Sequence, residues 1–199
     1  PLNYKGFPKS ICTSINHVVC HGIPSDKSLQ DGDILNIDVT VIVDGWHGDT
    51  SRMFFAGEPS IKAKRLSTVT YDAMMKGIEL CKPGITFGDI GHAIQSHIQP
   101  HGFGIVREYV GHGIGRLLHE APSVPNYGKR SRGQLLVEGM CLAVEPMITL
   151  GRRDTQVLDD GWTVTTVDGS LAAHFEHTIA VTPRGPEILT VLDQVRPGH

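Results

Sequence analysis

The sequence predicts an α+β protein in which helices lie on one face of an antiparallel sheet. Three observations lead to this prediction. β-branched segments separated by turn signals fill the first 55 residues, two segments with helical periodicity follow, and short strand patterns occupy the rest. The chain contains no low-complexity segment and no linker long enough to divide it. We therefore expect a single domain over residues 1–199.

The first third of the chain predicts loops and strands. Residues 1–8, rich in Gly, Pro and aromatics, indicate a loop, and residues 11–20 predict a pair of strands. Residues 34–43 give the clearest strand pattern of the protein. Asp44-Gly45 then predicts a hairpin turn into a second strand that runs through Phe55.

Two helices are predicted next. Ser60 to Cys81 carries apolar residues at helical spacing, and Pro83-Gly84 ends it. Thr86 followed three residues later by Asp89 indicates a variant of the capping box, which opens a second helix that reaches about Gln99.

Further strands are predicted in the second half, around residues 108–110, 140–150, 163–167 and 171–181. A hairpin with two acids in the first half is echoed by strands with two acids in the second half. The sequence similarity between the halves is too weak to prove a repeat.

Composition excludes several classes of function. The formal net charge is −3, so no basic surface indicates nucleic-acid binding. No apolar stretch reaches the roughly 20 residues of a membrane helix, and no secretory leader opens the chain, so we expect a cytoplasmic protein. The four cysteines form no CxxC pair, which favours reduced and mostly buried thiols.

The most informative residues are acids in the middle of predicted strands. Side chains alternate between the two faces of a strand. Asp38 therefore points away from a face that is wholly aliphatic, and Glu145 and Glu176 have small or apolar neighbours on their own faces. A buried carboxylate needs positive charge nearby. A single such acid would more often face water or pair with an arginine, and Arg52, Arg107 and Arg116 are available.

Four acids in similar settings, with Asp49 as the fourth, favour a cluster that binds metal ions. Oxygen-rich ligation with one imidazole suits Mn, Fe, Co or Zn in a two-metal site. Calcium is less favoured because no EF-hand loop is present.

Histidines supply the remaining candidates. His112 lies in the run Gly111-His112-Gly113-Ile114-Gly115, and His119 and His21 also lie near turns. Each of them, taken alone, is more often structural. The glycines lack the strand-then-helix setting of a dinucleotide site, and the absence of a Gly-x-Ser-x-Gly motif argues against a serine hydrolase.

Taken together, these motifs resemble the type I methionine aminopeptidases, M24 metallopeptidases of the pita-bread fold. The resemblance runs from Tyr4 to about Leu189. It rests on ordered motifs over residues 14–24, 36–40, 47–51, 111–115, 119–120, 145–147 and 176–178.

The resemblance implies two divalent metal ions and assigns their ligands. Asp49 and Glu176 would bridge the ions, Asp38 would bind one of them, and His112 and Glu145 would bind the other. Water activated by the ions would attack the carbonyl carbon after the N-terminal methionine, with Glu145 transferring the proton. His21 and His119 would contact the substrate. A methionine pocket would be formed by Tyr4, Phe7, Cys12 and Trp162, with Leu118 at a position that is often aromatic.

The resemblance also implies biological expectations. Substrates would be the N-termini of peptides and nascent chains with a small second residue, the ribosome is a candidate partner, and we expect a monomer. Members of the family normally carry further helices ahead of the residue aligned with Pro1, so we expect part of the sheet to be uncovered.

Two alternatives stay open at this point. One is an X-Pro peptidase of the same fold, such as prolidase or aminopeptidase P. The other is a non-catalytic pita-bread protein, although such relatives usually lose ligands and this chain keeps all five. Type II enzymes carry an insertion between the His and first Glu ligands, and the short spacing from His112 to Glu145 favours type I.

Overall fold

The computed structural model describes residues 1–191. These residues form one antiparallel sheet of eight strands, two sheets of three strands and two α-helices, which confirms the predicted α+β class. The strands are β1 (Cys12–Ile15), β2 (Val18–Cys20), β3 (Ile34–Val43), β4 (Trp46–Phe55), β5 (Gly104–Ile105), β6 (Gly111–Gly113), β7 (Glu120–Val124), β8 (Cys141–Val144), β9 (Met147–Thr149), β10 (Thr155–Val157), β11 (Val164–Thr166), β12 (Ala172–His174), β13 (Glu176–Thr182) and β14 (Gly185–Ile188). The strand order of the large sheet is β1-β3-β4-β13-β8-β6-β7, with β14 paired to β13.

The β3–β4 hairpin confirms the prediction for the first half of the chain. Its two strands pair in register from Ile34 opposite Phe55 to Val43 opposite Trp46. The turn residues Asp44 and Gly45 have φ of 51° and 78°. Two successive left-handed residues form the kind of turn whose twist matches a tight hairpin.

The strands predicted over residues 140–150 and 171–181 are each interrupted, so the prediction of continuous strands is wrong. In the first, Glu145-Pro146 separates β8 from β9, and in the second, Phe175 separates β12 from β13. At each break the chain passes between sheets, because β8 and β13 belong to the large sheet whereas β9 pairs with β12 in a small one. Pro146, which has no N–H to donate to a ladder, suits the first break.

Both predicted helices are present, with small differences at their ends. Helix α1 (Ile61–Ile78) ends before Cys81, and its N-cap Ser60 accepts a hydrogen bond from the backbone N–H of Ala63. Helix α2 (Phe87–Ile98) opens with the complete Thr86–Asp89 capping box. The helices pack against each other, and α1 also packs on β8, β9 and β12.

The connecting segments show the other departures. A short 3₁₀-helix (Tyr4–Gly6) lies within the predicted opening loop. The strand predicted at residues 108–110 is absent, and short strands β5 and β6 lie on either side of that segment. Hydrogen bonding to distant segments, rather than local apolar patterning, selects strands as short as these.

Exposure of apolar side chains is concentrated at the tip of the hairpin. Val41, Val43 and Trp46, on the face away from Asp38, are 53%, 65% and 55% exposed, whereas Leu35, Ile37 and Val39 on that face are half-buried. The helices cover the other part of the sheet instead. Within residues 1–191, no helix is long and apolar enough to span a membrane.

Candidate active site

One cavity of about 310 Å³ gathers every site residue that the sequence predicts. It opens between the 3₁₀-helix of the N-terminal segment and the centre of the large sheet. The predicted residues that line it are Tyr4, Phe7, Cys12, His21, Asp38, Asp49, His112, Leu118, His119, Glu145, Trp162 and Glu176.

Two of the acids are positioned by the β3–β4 hairpin. Asp38 lies opposite Cys12 on one side and Ser51 on the other. Asp49 accepts a hydrogen bond of 2.9 Å at Oδ1 from the hydroxyl of Thr40, its cross-strand neighbour. Strand alternation and this register therefore direct both carboxylates to the same face.

The other two acids lie at the strand breaks. Glu145 follows β8, and the amide of the buried Asn126 donates to its backbone carbonyl at 3.2 Å. Glu176 begins β13, and the Thr50 hydroxyl donates to its carbonyl at 2.9 Å. In both cases a side chain from another strand or loop fixes the backbone of the acid.

His112 completes a compact group of potential ligands. Its Nδ1 lies 2.9 Å from the carbonyl oxygen of Gly113, which favours the tautomer with the proton on Nδ1 and leaves the lone pair of Nε2 free. Ligand atoms of Asp49, His112 and Glu176 all lie within 4.8 Å of one another. Nε2 of His112 is also 3.3 Å from Oε1 of Glu145.

Burial of four carboxylates makes the site unfavourable for negative charge. Desolvation raises the pKa of Asp38, Glu145 and Glu176 well above the ordinary range, and the proximity of Asp49 raises each further. Desolvation also raises the pKa of Asp49, although the Thr40 hydrogen bond opposes the change. Oε1 of Glu176 is buried without a hydrogen-bond partner in the part of the chain that the structure describes.

The arginines of the described residues do not supply the missing positive charge. Arg116 stacks on Trp46, with 4.0 Å from Cζ to the ring centroid, and Arg107 lies over another aromatic ring. Arg52 is opposite Ile37, on the far face of the hairpin from Asp38. Among residues 1–191, none of the four acids forms an ion pair with Lys or Arg. The donor set of four carboxylates and one imidazole therefore fits divalent metal ions.

The two predicted substrate histidines differ in their surroundings. His21 has a left-handed backbone, with φ of 57°, a conformation that non-glycine residues adopt at a cost and mostly at functional positions. Nδ1 of His119 lies 2.8 Å from the hydroxyl oxygen of Tyr4. Burial lowers the pKa of His21, and burial together with His112 lowers that of His119 to about 4, so both rings are neutral near pH 7.

The remaining wall of the cavity is apolar. Phe7 and Trp162 meet edge to face with ring centroids 5.2 Å apart. Cys12 and Leu118 are buried beside them. Burial, followed by the charge of Asp38, raises the pKa of the Cys12 thiol to about 12, so the thiol is neutral.

His174 also lines the cavity but was not among the predicted site residues. The sequence contained a signal for it, because strand alternation places it on the same face as Glu176. Burial lowers the pKa of His174 to about 3, which makes it a neutral imidazole.

Comparison with known proteins places this geometry in context. The model of metallopeptidase family M24 matches residues 2–183. A methionine aminopeptidase of Rickettsia prowazekii is 65% identical over 96% of this chain and 74% of its own length. Methionine aminopeptidase A of Synechocystis is 58% identical over 96% of the chain and 76% of its own length. A crystal structure of the methionine aminopeptidase from R. prowazekii superposes with a TM-score of 0.95 at 64% identity, covering 96% of this chain and 77% of that one.

Proposed function

This chain belongs to the methionine aminopeptidases of metallopeptidase family M24, and we propose that five ligands, four buried and one half-buried, form a centre for two divalent metal ions. The enzyme is a hydrolase that removes the N-terminal methionine from peptides and proteins and that uses divalent metal. The ligands in this proposal are Asp38, Asp49, His112, Glu145 and Glu176.

The carrying observation is a group of four acids, three buried and Asp38 half-buried, without Lys or Arg partners among the described residues. Four carboxylates around one cavity repel each other strongly unless protons or cations neutralise them. Two ions would neutralise them with the ligand types that Mn, Fe, Co and Zn accept. By the resemblance, Asp49 and Glu176 would be shared by both ions. The pairing of β4 with β13 supports this by bringing the two acids close together.

Methionine would occupy the apolar end of the same cavity. Phe7, Trp162 and Leu118 offer the contacts that an unbranched thioether side chain needs, and the small side chain of Cys12 leaves space between them. We propose that a small second residue is preferred, as the resemblance implies.

Protein groups would carry out the proton transfers. Two divalent ions, when bound, lower the pKa of water and polarise the peptide carbonyl. The carboxylate of Glu145 would accept the proton from water and deliver it to the leaving amine. A hydrogen bond from the Tyr4 hydroxyl to Nδ1 of His119 would leave the proton on Nε2, which can then donate to the carbonyl oxygen as it gains charge. His21 would contact the substrate near the scissile nitrogen.

Processing of nascent chains in the cytoplasm, with a monomeric enzyme and the ribosome as a partner, extends this proposal. The free state of all four cysteines supports a reducing compartment. Sedimentation with and without purified ribosomes would test both the partner and the oligomeric state.

The decisive experiment is metal add-back. Protein freed of metal by chelation is supplied separately with Mn, Fe, Co and Zn, and release of methionine from Met-Gly and Met-Ala-type peptides is measured. We expect release only after metal is added, and no cleavage of an X-Pro peptide. Metal-independent release would contradict the proposed centre, and preferential cleavage of X-Pro would favour the related peptidases.

A further inference from the structure

His174 forms part of the cavity wall, at the end of β12 and two residues before Glu176. Its Nε2 is 3.4 Å from Oε2 of Glu145, while Nε2 of His112 is 3.3 Å from Oε1. The carboxylate of Glu145 therefore has a different imidazole at each of its oxygens.

The imidazole of His174 lacks a good hydrogen-bond partner elsewhere. Among the described residues, neither its Nδ1 nor its Nε2 makes a hydrogen bond of acceptable geometry, although the side chain is buried. A buried donor without a partner is unfavourable. Oε2 of Glu145 lies close enough that a small rotation of either side chain would complete a bond.

The backbone of His174 is fixed more firmly than its ring. Its carbonyl accepts a hydrogen bond of 2.7 Å from the amide of the buried Asn36. Its strand pairs with β9, where His174 lies opposite Met147. A side chain on such a rigid element presents its ring at a defined place, which is what a positioning role needs.

We propose that His174 is a positioning residue for Glu145. Its Nε2–H donates to Oε2, so that Oε1 is directed toward His112 and toward the ion that the two residues share. The inference rests on the proposed function in one respect, because it takes Glu145 as a metal ligand.

This arrangement assigns the two oxygens of Glu145 to different tasks. Oε1 ligates the ion, and Oε2 is held by His174 in a fixed orientation beside the reacting groups. Partners that orient a ligand in this way typically change metal affinity or activity by about 10–100-fold when they are removed.

Three variants of the full chain test the proposal. His174→Leu removes the donor while keeping an apolar side chain of moderate size. His174→Gln keeps an N–H donor near the same place. His177→Leu is the matched control, because it removes an imidazole from the opposite face of β13, where Nδ1 lies 2.8 Å from the Thr190 hydroxyl.

The main readout is binding of Co(II) to metal-free protein, followed by calorimetry and by the visible absorption of the ion. We expect His174→Leu to weaken Co(II) binding by about 10–100-fold and to change the absorption spectrum. His174→Gln restores most of the affinity and the wild-type spectrum, and His177→Leu leaves both unchanged. In peptide assays at saturating metal, His174→Leu lowers kcat more than it raises KM.

Several results would overturn the positioning role. One is Co(II) binding by His174→Leu at the wild-type affinity. Another is a loss of Co(II) affinity that is the same in His174→Leu and His174→Gln. A third is a loss of Co(II) affinity in the His177→Leu control as large as that in His174→Leu. If His174→Leu lost as much Co(II) affinity as Glu145→Ala, His174 would be a metal ligand rather than a positioning residue. Wild-type protein that neither binds Co(II) nor releases methionine would refute the proposed function itself, so the two failures are distinguishable.

Discussion

The two halves of the candidate metal site hold their acids in different ways. Asp38 and Asp49 lie within unbroken strands of ten residues each. Glu145 and Glu176 lie at breaks, where the chain leaves one sheet for another. Aspartate, with the shorter side chain, occurs where strand register directs the carboxylate into the cavity. Glutamate, with the longer side chain, occurs where the backbone turns away.

The difference shows how support is distributed around the site. Asp49 is held through its carboxylate, by a hydrogen bond from Thr40, as well as through its backbone, by the hydroxyl of Thr178. Glu145 and Glu176 are held through their backbone carbonyls, by Asn126 and Thr50. Perturbing the hairpin half should therefore change the ligand itself, whereas perturbing the other half should change the path of the chain.

The largest effect on activity is expected from removing the proposed bridging acid of either half, in two single variants. Glu176→Ala and Asp49→Ala should each abolish metal-dependent release of methionine, with a loss beyond the roughly 100-fold typical of outer partners. Both acids are predicted to bridge the ions, so the different backbone settings should not matter. Peptide assays with added Co or Mn measure this, with Glu138→Ala as an exposed-acid control. Retained activity in either bridging variant would break the assignment.

A smaller effect is expected on stability when metal is removed. The folded-state pKa of the four acids is raised, so the folded protein binds more protons than the unfolded chain above the ordinary carboxyl range. The free energy of unfolding of metal-free protein should therefore fall as pH rises. Histidines such as His119 and His174 have lowered pKa values and act in the opposite direction, but only below about pH 6.5.

Thermal unfolding between pH 7 and 8 tests the acids above the titration of the histidines and below the ordinary thiol pKa of 9.0, where the buried cysteines with raised pKa values would act in the same direction. We expect the melting temperature of metal-free protein to decrease over this range. Metal at about 100 times its Kd should add roughly 2.7 kcal/mol and reduce the dependence on pH. A melting temperature that rises with pH in metal-free protein would show that the acids are not the groups with raised pKa.

A matched pair of variants compares the two kinds of support. Thr40→Val removes the hydrogen bond to the Asp49 carboxylate and should weaken metal binding by about 10-fold with little change in stability. Asn126→Leu leaves the buried carbonyl of Glu145 unpaired and should lower the free energy of unfolding by about 1–3 kcal/mol. Calorimetry and denaturant unfolding of both variants measure the contrast. Reversed effects would mean that the two halves are supported alike.

The smallest effect on the site is expected from the helical layer. Thr86→Ala removes the side-chain cap of α2 and should lower stability by about 1 kcal/mol. Metal affinity should stay at the wild-type value because α2 lines no part of the cavity. Denaturant unfolding and Co(II) titration of the same sample test both statements, and a weakened site would show that helix stability reaches the ligands.

Local patterns predicted the hairpin and the helices well. Residues 34–43 carry one continuous alternation, and the strand has those bounds. Thr86 and Asp89 satisfy each other's backbone groups without help from distant residues, so the capping box was readable from the sequence.

The strand breaks were not predicted, because the alternation of apolar residues continues across them. Leu142, Val144 and Ile148 are all buried, although the chain changes sheets between them. Pro146 was the one local sign of the break. Long-range pairing decides such points, and a single sequence carries little information about it.

The predicted site residues all line one cavity. The motifs that predicted them are dispersed along the sequence, and the fold brings them together. Their individual roles stay predictions. His174 was missed because a histidine in an apolar strand is usually a structural residue. Its relation to Glu145 becomes visible only when β12 is paired with β9, the strand that follows Glu145.

The proposed ligands come from five distant points of the chain, between residues 38 and 176. Ions that join them would act as a cross-link, since opening any one of the contributing strands would require a ligand to leave. We therefore expect amide hydrogens of β4 and β13 to exchange more slowly when metal is bound. Loss of metal would then shorten the lifetime of the enzyme toward proteases as well as stop its chemistry.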